Sequence, residues 1–325
     1  MRQIQNLKIC VLKQYELLLA LHVAYLLEFP SEKEKYDFIE IPNIDYARKI
    51  KKMINIAECK SLIKYIQNFK DESVSINIAI GLDDCYEINE RLMDREYIEK
   101  YLGYGTLEQF VILLKEFAQK ICWDSFFDEN IDFYQKIIDI MDNFPKNLDL
   151  TDINRFYGLK DTQYTCVLSV LMNGGFGPKD KEENLYYVRG IGYNEKIKKF
   201  EIDEKYLCEC MFHEFSHPVV NALVDKYFSG FVHIDDIYKE AILNGLPKTY
   251  QNKKVLLYEY FVRANANVLV RKYYPDIIIS EWIKNLGFIY LEKLADYIYQ
   301  NFEGYSNYED FFKKELVDFF NDIRK

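Results

Sequence analysis

Apolar residues recur at three- and four-residue intervals along most of the chain, the period of a helix with one buried face. A short apolar stretch at residues 7–12 reads as a strand. The run at 16–27 then predicts a buried helix that stops before Pro30. Helices are expected at 47–54, 57–69, 87–101, 106–121 and 131–141, separated by polar breaks. The texture changes near residue 150, after Asn143 and Pro145. Residues 164–172 and 186–191 are rich in β-branched and apolar side chains and predict two strands. Between them, Gly174, Gly175 and Gly177 let backbone approach a turn partner or a ligand closely, the turn being the favoured reading. Helices return after Asp203, an expected N-cap, with Leu207, Met211 and Phe215 giving the first of them an apolar back. Others are expected at 254–273, 277–301 and 308–323. The fold class is therefore α+β and predominantly helical. A mainly helical lobe is expected over 1–150 and a second lobe over 151–325, the two forming two domains or one continuous domain.

Composition narrows the function. The 325 residues carry 42 Lys and Arg against 52 Asp and Glu, a net charge of −10, which argues against a nucleic-acid surface. At 49% apolar residues the chain has material for a large core. Seven scattered cysteines, an odd number, fit reduced thiols better than a disulfide framework. No stretch reaches the roughly 20 apolar residues of a membrane-spanning helix. The N-terminal apolar run is interrupted by His22 and lacks a small-residue cleavage site. A cytoplasmic protein without a membrane partner is expected, with secretion after loss of a leader as the alternative.

The chemistry concentrates in His213-Glu214-Phe215-Ser216-His217, an H-E-x-x-H sequence inside a predicted helix. In a chain with only four histidines, chance supplies on the order of 0.004 such matches. Histidines at i and i+4 stand about 40° apart around a helix axis and about 6 Å apart along it, so both rings project from one face and can bind one metal. Glu214 lies about 100° round from His213, placed to reach a metal-activated water rather than the ion. This is the pattern of zinc-assisted hydrolysis, with Zn²⁺ as cofactor and Glu214 as general base.

A catalytic zinc needs a third protein ligand and an open position. The spacing H-E-x-x-H-x-x-G-x-x-H is absent, since Val220 and Leu223 occupy its last two defined positions, so a carboxylate is the better third ligand. Glu259 is preferred: it is a lone acid in an apolar helical stretch, where an uncompensated carboxylate is costly. Arg263 at i+4 offers the competing reading, an ordinary helix salt bridge with Glu259. Otherwise Arg263 would hold a neighbouring carboxylate or a substrate group. Glu240 is the second candidate ligand. His233, Arg263 and Tyr290 are candidates to stabilise a developing oxyanion. Cys210, one turn before His213, is either a thiolate ligand or, preferably, a small packed residue. Tyr206 is expected in the core or in a cleft wall. Pro218 should end or kink the helix directly after His217.

His213-Glu-x-x-His217 with a later Glu on a second helix resembles the gluzincin branch of the zincin metallopeptidases. More closely, His213-Glu-Phe-Ser-His-Pro218 followed by Glu259-x-x-x-Arg263-Ala resembles an uncharacterised bacterial family, a domain of unknown function with gluzincin-like motifs. Tyr15-Glu-Leu-Leu and Gly174-Gly-Phe-Gly are similar to that family too. The resemblance implies a zincin-like catalytic lobe with a small β-sheet, and a zinc metallopeptidase acting on a peptide or protein substrate. Its ligands would be His213, His217 and Glu259, and its base Glu214. It also implies that Tyr187 to Gly190 forms a sheet edge on which an extended peptide docks, an internal strand being the alternative. Many gluzincins carry a carboxylate four residues after the third ligand, where this chain has Arg263. An inactive zincin-fold binding protein and a zinc hydrolase acting on a non-peptide substrate are the alternative functions.

Overall fold

Continuous apolar runs become fully buried elements, and amphipathic ones line the core, in a computed structural model that describes residues 2–41, 45–71, 73–160, 162–194, 196–279, 281–305 and 307–324. The chain folds into two compact units, Met1–Asn143 with Gln163–Ile202, and Phe144–Thr162 with Asp203–Lys325. The class is α+β and predominantly helical, with a small mixed sheet. The chain passes from the first unit to the second after Asn143. The chain then returns, so the strands expected in the second lobe belong to the first unit.

In the first unit β1 (Arg2–Ile4), β2 (Leu7–Cys10), β3 (Tyr164–Ser169), β4 (Gly175–Phe176) and β5 (Leu185–Gly190) form a sheet ordered β1-β2-β3-β5-β4. β2, β3 and β5 run parallel, with Leu7 opposite Tyr164 and Tyr164 opposite Leu185, while β1 and β4 pair antiparallel at the edges. Every residue of β3 is buried, as suits a strand covered on both faces. β5 is internal, paired with β3 along its length and with β4 at Val188 and Arg189, so Tyr187 to Gly190 is not the free peptide-docking edge. The glycine-rich segment is explained by the same pairing. A Cβ on Gly175 would stand 3.0 Å from both the Tyr187 ring and the Val188 carbonyl, so the backbone it approaches is β5. A separate hairpin joins β6 (Gly192–Asn194) to β7 (Lys199–Glu201).

The helices of this unit are α1 (Lys13–Glu28), α2 (Asp45–Met53), α3 (Lys60–Ile66), α4 (Val74–Ile80), α5 (Arg95–Leu102), α6 (Leu107–Lys120), α7 (Trp123–Glu129) and α8 (Ile131–Ile138). α1 is buried almost all round, including Glu16 and His22, and packs against α2, α3, α4 and α7. The helix expected from residue 87 starts only at Arg95. Upstream, the Asp83 carboxylate accepts from the amides of Cys85 and Glu87 and offers the backbone a turn instead, and Asp94 caps the helix by accepting from the Tyr97 amide.

The second unit holds α9 (Thr151–Tyr157), α10 (Glu204–Tyr227), α11 (Ile234–Leu243), α12 (Lys253–Val270), α13 (Glu281–Asn285), α14 (Leu291–Asn301), α15 (Tyr308–Phe311) and α16 (Val317–Asp322), the last two joined by a π-helical turn. α12 is nearly all buried and packs against α10, α11 and α14. The single helix expected over 277–301 is split, with Gly287 at φ +85° between the two pieces. Pro218 neither ends nor breaks α10, which runs a further nine residues to Tyr227. Losing one amide donor costs about 3 kcal/mol. Phe215, Val220, Leu223 and Val224 are buried on both sides of the proline, and their packing outweighs that loss.

Candidate metal centre

α10 and α12 carry the site, both in the second unit. Asp203 caps α10 as expected, its Oδ1 accepting from the Tyr206 amide at 3.0 Å. Leu207, Met211 and Phe215 are fully buried, and this anchored back turns His213 and His217 together to the opposite side. Their Nε2 atoms are 3.1 Å apart and their ring planes stand at 88°. Glu259 on α12 meets them, with Oε1 3.6 Å from His217 Nε2 and Oε2 3.8 Å from His213 Nε2. Four ligand atoms placed tetrahedrally at about 2.0–2.1 Å from an ion lie about 3.3 Å from one another. One ligand atom from each of the three side chains lies within 4.8 Å of the others, wider than that spacing but close enough that small side-chain rotations would let them hold one metal. The fit has a second support: Glu259 is only 7% exposed and its Oε2 accepts no well-directed hydrogen bond.

The electrostatics favour a neutral His213 imidazole. Burial, then His217, then Arg263 hold His213 well below the ordinary histidine value, leaving it unprotonated as a ligand must be. Asn221, one turn beyond His217, places Oδ1 3.3 Å from His217 Nδ1. An amide oxygen there accepts a hydrogen bond from Nδ1–H and leaves the Nε2 lone pair facing the cluster.

Arg263 also pairs with Glu259, its guanidinium 2.8 Å from Oε2, as an ion pair without hydrogen-bond alignment. The helix salt bridge and the histidine cluster therefore coexist on one carboxylate. Burial opposes the charge on Arg263, and Glu259 overrides it, holding the group above its ordinary value. The guanidinium lies 5.1 Å from the Phe288 ring centre and 5.8 Å from that of Tyr250, whose hydroxyl accepts from it at 3.4 Å. Glu214 is half-buried beside the first ligand and acts, with Glu259, on the Tyr250 hydroxyl. Burial is the first cause that raises the pKa of Tyr250, and the Glu259 carboxylate the second. One turn before His213, burial raises the Glu209 carboxyl, which interacts with Asn267.

Other sequence candidates lie elsewhere. Glu240 is occupied by Tyr290, whose hydroxyl donates to it at 2.6 Å, and by Arg324 at 2.7 Å. His233 is an exposed N-cap residue of α11. Neither His233 nor Tyr290 belongs to the ligand cluster. Tyr206 is 40% exposed and belongs to no core, because the N-terminal turn of α10 leaves it on the outside. Among the described residues the ligand cluster includes no cysteine, and none of the seven cysteines forms a disulfide.

Two residues of the site escaped the sequence reading. Asn221 was detectable, since it follows His217 by one helical turn. Tyr250 was not: one tyrosine among 28 in a short turn before α12 carries no pattern.

Comparison with protein families shows what class of chain this is. A family described as a domain of unknown function, DUF4932, matches residues 24–325, and the chain belongs to it. A search of curated proteins found no match. Neither did a search of solved structures.

Proposed function

We propose that this protein is a zinc-dependent metallohydrolase of gluzincin type that cleaves peptide bonds. The observation that carries the reading is the meeting of two imidazole nitrogens and a buried carboxylate, one ligand atom of each lying within 4.8 Å of the others. His213, His217 and Glu259 would hold the ion. Bound zinc would supply Lewis acidity toward a carbonyl oxygen and lower the pKa of water to about 7. Glu214 takes the proton of the attacking water and delivers it to the leaving amine. The Tyr250 hydroxyl, kept protonated by burial, donates a hydrogen bond toward the developing oxyanion, the role first considered for His233, Arg263 and Tyr290. Arg263 fixes the Glu259 carboxylate, and Asn221 fixes the His217 tautomer.

Metal analysis of protein purified without added zinc tests this directly. One equivalent of divalent metal is expected. Glu214→Gln should keep it while turnover of a peptide library falls at least about 100-fold. A protein that neither carries nor takes up metal overturns the proposal.

The Glu259–Arg263 pair favours a second reading, in which the carboxylate is satisfied without an ion and the chain is a non-catalytic binding module. In that case Glu214→Gln changes no measurable property. A non-peptide substrate would leave metal binding intact and show no cleavage in the peptide library.

A further inference from the structure

A concave site apart from the metal centre lies wholly within the first unit, on α2, α8 and the β6–β7 hairpin. Its volume is about 550 Å³, within the range that encloses a small ligand. Its charge runs against that of the chain. A protein of net charge −10 gathers Lys49, Lys136, Lys198 and Lys199 around this one cavity, against Asp45 and Asp139. Both aspartates already have partners: Asp45 pairs with Arg48 at 2.6 Å and Asp139 accepts from Gln135 at 2.7 Å. Among the described residues none of the four lysines is in an ion pair.

One lysine is held in place. The Lys49 ammonium donates to Asn130 Oδ1 at 3.0 Å, and Asn130 is buried to 6% exposure, its amide donating to the Phe126 carbonyl at 2.7 Å. This is a built contact rather than a free surface side chain. The walls are aromatic. Phe133, Tyr193 and Phe200 are half-buried and line the cavity, with ring centres 5.5 Å apart for Phe133 and Phe200 and 5.1 Å apart for Tyr193 and Phe200. Tyr46, in the same cavity, is locked from behind, its hydroxyl donating to the buried Glu16 carboxyl at 2.9 Å.

We infer that this cavity binds a small aromatic phosphate, a ligand of mononucleotide size that offers a flat ring to the Phe133, Tyr193 and Phe200 wall and a multiply charged group to the lysines. Four cations spread over three elements match a phosphate dianion better than a single carboxylate. The aromatic wall stacks on any flat ring without reading its edges. The inference is independent of the metal site.

Titration calorimetry on the full chain tests it, with AMP as the probe and inorganic phosphate and adenosine as its two halves. Saturable AMP binding is expected, weakening as salt is added. Each half should bind at least about tenfold more weakly. The double variant Lys136→Ala/Lys199→Ala alters two exposed side chains and should weaken AMP binding about tenfold while leaving the melting temperature in place. Phenyl phosphate should compete, since no base edge is read. Absence of saturable binding by both AMP and phenyl phosphate overturns the inference. Phosphate or adenosine binding as tightly as AMP, or a lysine variant that binds AMP unchanged, overturns it equally.

Discussion

Replacing Glu16 by Gln should stabilise the protein at pH 8 and leave it unchanged at pH 4, although the carboxyl makes a 2.9 Å hydrogen bond with Tyr46. Glu16 is 1% exposed, no cation among the described residues pairs with it, and its Oε1 accepts no hydrogen bond. Burial therefore pushes its pKa from 4.5 up to about 7, against the lowering effect of Ser169 and Tyr46. The folded state holds the proton more tightly than the unfolded chain. The stability this brings is fully present below about pH 4.5 and is lost as pH rises through about 7. At about 1.4 kcal/mol per pH unit, the span from 4.5 to about 7 corresponds to about 3 kcal/mol. The carboxamide of the Glu16→Gln variant keeps the shape and cannot ionise, so it escapes this loss. His22 on the same helix has the opposite sign: burial lowers it from 6.5 to about 4, so its contribution is lost as pH falls through that range. The two slopes offset each other between about pH 4.5 and 6.5, and Glu16→Gln should expose the His22 slope there. Urea unfolding followed by fluorescence of the buried Trp123, at pH values from 4 to 8, measures both. A difference between variant and parent that stays constant across this range would refute the reasoning, because a lost hydrogen bond alone has no such pH dependence.

Other outcomes follow from the same structure. Asn221→Ala should lower zinc affinity by about 10- to 100-fold in competition with a chromophoric chelator, and Asn221→Asp should retain it, because either an amide or a carboxylate oxygen can accept from His217 Nδ1. Arg263→Ala leaves the Glu259 carboxylate buried without its cation and should cost the metal-free protein about 3–5 kcal/mol. Added zinc should then raise the melting temperature of this variant more than that of the parent, and equal shifts would argue against Glu259 as a ligand. A Cβ on Gly190 would stand 2.1 Å from the Met172 carbonyl oxygen. Gly190→Ala should therefore destabilise by about 1–3 kcal/mol in denaturant unfolding, whereas Gly158→Ala meets no atom within 4 Å and bears only the strain of its φ of +71°.

How much of this was legible beforehand differs from element to element. The buried helix α1 announced itself through an unbroken apolar run, and α10 through its Asp203 cap and its apolar back. The late start of α5 and the break at Gly287 were missed because side-chain competition for amides, at Asp83, and a left-handed turn act on single residues within an otherwise helical period. Pro218 misled for the converse reason: a local penalty of a few kcal/mol is overcome by buried side chains that the local sequence does not reveal.

Residue order alone determined that His213 and His217 share a helix face, since the pitch of a helix dictates it. It also set the acidic charge and the helical class. Tertiary structure decided that Glu259 rather than Glu240 meets those rings, that Tyr250 stands beside Arg263 and Glu259, and that lysines from two helices and a hairpin surround one cavity. The reason is that spacing within one helix is a local property of the backbone, whereas convergence between segments depends on which buried surfaces pack together, and that is settled only by the whole core.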